Sequence, residues 1–160
     1  FSKYIRLRDA IETTGGREYL KCVTCGRLCR VSGLGCAQAG HWKPGRTRGL
    51  LFEERAVHGQ CVLCNNWKHG NEEPYTAFML KTYGAETVEL LRVRASSTGH
   101  SWHVFELQAI EREYAAKLEK LGGWPSTCSA DYKPPKPVTV CLDHRRWEDG
   151  LGRLRVGGQV

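Results

Sequence analysis

No stretch of the sequence approaches the roughly 20 consecutive apolar residues of a membrane-spanning helix, which argues against a membrane span. A secretory signal is missing as well: the chain opens on the mixed segment FSKYIRLRDA, which has no apolar centre. The only methionine is Met79, so position 1 is not an initiator and the N-terminus is expected to be truncated or processed. No internal repeat is visible. An acidic balance is lacking too. Against 17 Asp+Glu stand 24 Lys+Arg, a net charge of +7, which favours a polyanionic partner.

What is present fits a globular protein. The 160 residues are 41% apolar and 26% charged, enough for one ordinary domain with an elaboration. The positive excess is confined: residues 1–70 carry 12 basic against 5 acidic side chains, and residues 71–160 carry 12 of each. That basic first half is also where most of the eight cysteines fall. A basic, cysteine-rich segment favours nucleic acid as the partner.

Spacing decides what the cysteines do. Cys22-x-x-Cys25 and Cys61-x-x-Cys64 are two pairs, each followed by a turn or cap residue, Gly26 and Asn65. Two residues between thiolates let both face one tetrahedral ion at Zn–S distances of about 2.3 Å. Disulfides would need an oxidising compartment, and nothing in the sequence indicates export. The four are therefore expected to hold a structural zinc. Cys29 and Cys36 fit either alternative ligands or buried thiols. Cys128 with Cys141 and His144 makes a second cluster, without a fourth ligand of its own.

Periodicity places the remaining elements. Residues 3–8 do not separate a strand from a short helix. Tyr19–Cys25 reads as a strand entering a zinc knuckle, and residues 30–60 as a hairpin with a long irregular connection. A short helix is expected from Val62 to about Lys68, capped by Gly70. A helix over Pro74–Tyr83, a stop at Gly84 and a further helix over Ala85–Val93 come next. Val104, Leu107, Ile110, Tyr114, Leu118 and Leu121 then form an apolar stripe at helical spacing, ended by Gly122, Gly123 and Pro125. That stripe suits a core or a dimer contact. Pro134, Pro135 and Pro137 mark an extended linker, and the glycine-rich end reads as loosely packed.

The order of CxxC, His41, CxxC and Asn65 resembles the HNH, or ββα-metal (His-Me finger), endonucleases, whose second half the CxxCN-x-x-K segment matches well. Ser2–Asp9, Cys22-Val-Thr-Cys-Gly26, Ala39-Gly-His41, Val57-His58-Gly-Gln60-Cys61 and Gly70-Asn71 look like successive blocks of the phage NinG (lambda Rap) recombination nucleases, over roughly residues 1–120. The order is also similar to that of phage endonuclease VII. The resemblance implies an α+β fold: a zinc-clamped ββα-metal (HNH) nuclease core over residues 1–72, a helical packing or dimerisation region over 73–122, and an irregular extension over 123–160. It implies a metal-dependent endonuclease acting on branched recombination intermediates such as Holliday junctions and D-loops. The expected setting is the cytoplasm of a bacterial host, as a homodimer with DNA and other phage recombination proteins as partners.

By the same resemblance His41 is the general base, and Asn65 is a ligand of Mg²⁺ (or Mn²⁺), a hard cation that takes oxygen ligands. His58 fits catalysis or a structural role behind it. His69 and Asn71 fit either the magnesium site or the capping of a helix end. Two positions depart from the HNH pattern: Gly40 stands where many members place an acidic or histidine ligand, and Ala56 where an asparagine orients the base. Arg6, Arg8, Lys43, Arg46, Arg48, Arg55 and Lys68 form the expected phosphate track. Trp42 and Trp67 fit stacking on unpaired bases or a small core beside the zinc. The alternative function is a zinc-stabilised nucleic-acid-binding module without catalysis.

Overall fold

The computed structural model describes residues 1–43, 48–96 and 101–125, with the backbone alone at position 48. The expectations for Arg46, the Arg48 side chain, Cys128, Cys141, His144 and the proline-rich linker fall outside these residues.

Ser2–Thr14 is an α-helix, α1, which settles the ambiguity at residues 3–8. Ile5, Leu7 and Ala10 bury their side chains, and Gly15 ends the helix in the left-handed region. Two short antiparallel hairpins follow. In the first, β1 (Tyr19–Lys21) pairs with β2 (Leu28–Arg30), with Leu20 opposite Cys29. In the second, β3 (Gln38–His41) pairs with β4 (Val57–Gln60), with Gly40 opposite His58 and His41 opposite Val57. The fold is thus mixed α+β.

After β4 the chain makes one wide helical turn over Leu63–Trp67, closed by the Lys68 N–H donating to the Leu63 carbonyl at 2.9 Å. The short helix expected from Val62 to about Lys68 is thus present, in this wide form. Cys61 and Cys64 must both reach the cysteine cluster, and His69, Gly70 and Asn71 then turn the backbone at positive φ. Helix α2 spans Glu72–Ser96 and changes direction at Gly84, whose φ of 78° and ψ of 162° lie outside the range of L-residues with side chains. The expected helix–stop–helix is thus present: Gly84 breaks the span into two helical segments. Helix α3 covers Val104–Lys120, as the stripe predicted.

Two apolar clusters sit on either side of the hairpins. Trp42, Leu50, Ala56, Tyr75, Met79, Val88 and Leu91 form one, beneath α2. Ala10, Leu20, Val31 and Ala37 form the other, with Trp124 and Cys29 against it. Tyr114 holds α3 in place, its ring 4.8 Å from that of Phe1 and its hydroxyl donating to Glu54 Oε1 at 3.0 Å. Of the α3 stripe, Tyr114 is buried, Ile110, Leu118 and Leu121 are half-buried, and Val104 and Leu107 are exposed.

Candidate metal centre and catalytic pocket

The four Sγ atoms of Cys22, Cys25, Cys61 and Cys64 all lie within 4.8 Å of one another. Four thiolates at about 2.3 Å from a tetrahedral zinc are about 3.8 Å apart, and the Cys25–Cys61 separation is 3.8 Å. These residues can hold a structural metal such as zinc. Their proximity also disturbs their acidity. Hydrogen bonding from Cys61 pulls the Cys22 thiol down to about 4, while burial and the neighbouring sulfurs push Cys25 up to about 11 and Cys61 further up. Four thiolates this close repel one another unless a cation sits among them. Cys29 packs beside the cluster and Cys36 accepts a hydrogen bond from Arg6 Nη1; neither belongs to the four.

Asn71 belongs to this centre. Its Nδ2 donates to Cys64 Sγ at 3.7 Å, and its carbonyl accepts the Tyr75 N–H in the first turn of α2. Of the two roles weighed for Asn71, these contacts favour the helix end: its carbonyl opens α2 and its amide nitrogen faces the sulfurs. His69 is exposed on the turn after the knuckle.

The pocket beside the metal centre is built from β3 and the wide turn. His41 ends β3, and its Nε2 lies 3.2 Å from the Leu51 carbonyl oxygen. A carbonyl only accepts, so Nε2 carries a proton at this contact. Backbone thereby holds the ring in the way the missing asparagine at Ala56 was expected to. Ala56 itself is buried in the core, its carbonyl accepting the Trp42 N–H.

Asn65 projects from the wide turn toward β3. Its Nδ2 donates to Gln38 Oε1 at 2.6 Å, which turns Oδ1 toward Gly40. A Cβ built on Gly40 would lie 2.9 Å from Asn65 Oδ1 and 1.9 Å from Gln60 Oε1. Glycine is therefore required at position 40, since any side chain would strike the Gln60 amide.

His58 is not part of this pocket. It is 5% exposed and sits in a network under α1 and α2. Its Nδ1 lies 3.1 Å from Arg8 Nη2 and 3.4 Å from Asp9 Oδ2; its Nε2 lies 3.0 Å from the Tyr83 hydroxyl. Asp9 also accepts the Gly59 N–H at 2.5 Å and pairs with Arg8 at 2.7 Å. Burial alone would raise the Asp9 carboxyl, but His58, Arg8 and the Gly59 N–H together hold it below the usual carboxylate range. Of the two roles weighed for His58, these contacts fit the structural one.

The basic residues divide in the same way. Arg8 is buried, donating to the Glu54 and Val57 carbonyls at 3.0 Å each, and so leaves the phosphate track. Arg6 donates to the Val31 and Ala37 carbonyls at 2.9 and 3.3 Å and lies over the Trp124 ring, a structural role for its guanidinium. Lys43 pairs with Glu72 and lies over the Trp42 ring. Arg55, paired with Glu53, and Lys68 both reach solvent. Trp42 is core, with Nε1 donating to Thr76 Oγ1, whereas Trp67 is 55% exposed.

Comparison with known proteins gives a consistent result. The family model described as Bacteriophage Lambda NinG protein matches residues 1–123. Protein ninG of Escherichia phage lambda is 35% identical over 103 residues, which cover 64% of this chain and 48% of that protein. Protein ninG of Salmonella phage P22 is 34% identical over the same shares of each. The chain thus spans about half the length of the curated relatives it matches. No solved structure matches.

Proposed function

The chain belongs to the NinG family of phage proteins, and we propose that it is a metal-dependent DNA endonuclease of HNH type that hydrolyses phosphodiester bonds in branched recombination intermediates. The observation that carries this reading is the approach of the Asn65 carboxamide to Gly40, next to a His41 whose Nε2 faces a backbone carbonyl. Histidine is the side chain suited to take a proton from water near neutral pH, and His41 would be the general base. Asn65 Oδ1 is a hard oxygen donor and would hold Mg²⁺ or Mn²⁺. That cation, when bound, supplies neutralisation of the charge that develops on the phosphate and the leaving oxygen. The four cysteines are the structural part of the centre, because four thiolates leave no position for water.

Arg55 and Lys68 are exposed cations placed to meet phosphates, which positions DNA without reading its sequence. Trp67, exposed on the turn that carries Asn65, offers a ring on which an unpaired base can stack. Resolving a junction takes two cuts, hence two active sites and a C2 homodimer. The exposed Val104, Phe105 and Leu107 at the start of α3 offer an apolar surface for that contact. A host-cell cytoplasm follows for a phage recombination enzyme of this kind. The second reading, a zinc-stabilised nucleic-acid-binding module, draws on the missing side-chain functions at Gly40 and Ala56.

Cleavage of a labelled four-way junction beside a matched duplex, with and without Mg²⁺, tests this. The His41→Ala protein is expected to cut the junction at least about 100-fold more slowly, the lower end of what a general base contributes. Its junction affinity should be unchanged. Equal cutting by both proteins removes His41 from catalysis, and tight binding without Mg²⁺-dependent cutting by the wild type makes the chain a binding module.

A further inference from the structure

We propose that Gln60 supplies the second protein oxygen of the divalent-cation site, in the place of the side chain that Gly40 lacks. This rests on the nuclease reading of the His41–Asn65 pocket and extends it to a residue that the HNH pattern does not mark.

Gln60 ends β4 and is completely buried. Its amide orientation is set by Nε2, which donates to the Gly70 carbonyl at 2.8 Å and to Thr24 Oγ1 at 3.4 Å. Oε1 therefore points the other way, and it has no hydrogen-bond partner. A buried carboxamide oxygen left unpaired is unfavourable unless a ligand takes it. The surroundings of Oε1 say which ligand. It lies 1.9 Å from the point where a Cβ at position 40 would sit, and Oδ1 of Asn65 lies 2.9 Å from the same point. The two oxygens are separated by no more than the sum of their distances from that point.

Octahedral Mg²⁺ with oxygens at about 2.1 Å places neighbouring ligands about 3 Å apart and opposite ligands about 4.2 Å apart. Both separations fall inside the permitted range. Asn65 is half-buried and Gln60 fully buried, so Asn65 is the more accessible of the two. Two neutral carboxamides bring no charge, so the site holds a hard divalent cation weakly by itself. Water and phosphate oxygens complete the shell. A buried glutamine next to an obligatory glycine thus replaces an acidic ligand carried on the strand.

Mn²⁺ binding to the zinc-loaded full chain, read from the loss of the free-ion electron paramagnetic resonance signal, tests the assignment without DNA cleavage. Gln60→Met removes the oxygen at similar size and is expected to weaken Mn²⁺ binding at least tenfold, as is Asn65→Ala. Gln60→Glu keeps the oxygen, adds charge and is expected to tighten binding at least tenfold. Zinc content and thermal melting check that each variant is folded; if Gln60→Met fails to fold, the gain in Gln60→Glu decides. Unchanged Mn²⁺ affinity in the folded Gln60 variants overturns the proposal, as does the absence of Mn²⁺ binding to the wild type at millimolar concentrations. The first result leaves the nuclease reading untouched, since that reading stands or falls on Mg²⁺- and His41-dependent cutting of the junction.

Discussion

Replacing Cys61 with serine is expected to abolish cooperative thermal unfolding of the chain, and stripping the metal from the wild type to do the same. The cysteine cluster joins the loop after β1 to the turn after β4, so it ties both hairpins to the segment that leads into α2. Structural zinc contributes about 10–16 kcal/mol to small zinc-binding domains, whereas a whole domain is stable by only about 5–15 kcal/mol. Losing the metal therefore removes about as much as the fold has to lose. Circular dichroism melts of the two samples, with zinc quantified beside them, check this. Cys29→Ser and Cys36→Ser are the controls and should keep their zinc, because neither sulfur is among the four. An apo protein that melts at the temperature of the holo protein would show that the cluster holds no structural metal.

Asp9→Ala is expected to cost about 3–5 kcal/mol, the usual penalty for removing one member of a buried charged pair. The carboxylate meets Arg8, His58 and the Gly59 N–H. Without it the Arg8 guanidinium stays buried and uncompensated. Urea unfolding of the zinc-loaded proteins gives the difference. Its pH dependence follows from the sign of the Asp9 shift. Because the folded-state value lies below that of the unfolded chain, the contribution is fully present above the ordinary aspartate value of about 3.9. It is lost as pH falls through the folded value. The gap between wild type and Asp9→Asn, measured at saturating zinc, should therefore be constant near neutrality and close in acid. A gap independent of acid, or absent throughout, would mean that Asp9 does not stabilise the fold through its charge.

That network also shows where the sequence could be read and where it could not. The two CxxC pairs were legible because metal coordination imposes a short, fixed spacing. The last helix was legible because Ile110, Tyr114, Leu118 and Leu121 keep one face toward the protein. The first helix was ambiguous for the opposite reason. It buries Asp9 and much of Arg8 beside Ile5 and Leu7, so its polar residues do not mark its solvent face. The partners of His58 were not legible, because the acid lies 49 positions away, on another element. No local pattern announces such a pair. In the candidate pocket, the order of His41 and Asn65 came from family resemblance. The carbonyl of Leu51 could not have been found, since every residue has one. Gln60 left a faint signal: a polar residue on a strand face shared with glycine, where an apolar one would ordinarily pack.

The cysteine cluster also fixes an order of events when the chain first folds. Cys25 and Cys61 are 36 positions apart, and closing so long a loop carries an entropic penalty before any contact offsets it. Either pair alone can capture an ion early, but the second pair must arrive before the coordination shell is complete. Everything that depends on the closed loop waits for that moment. Trp42 comes from inside the loop, while Tyr75 and Met79 come from the helix beyond it. Their cluster is therefore assembled late, and the rate at which it appears should rise with the concentration of free zinc.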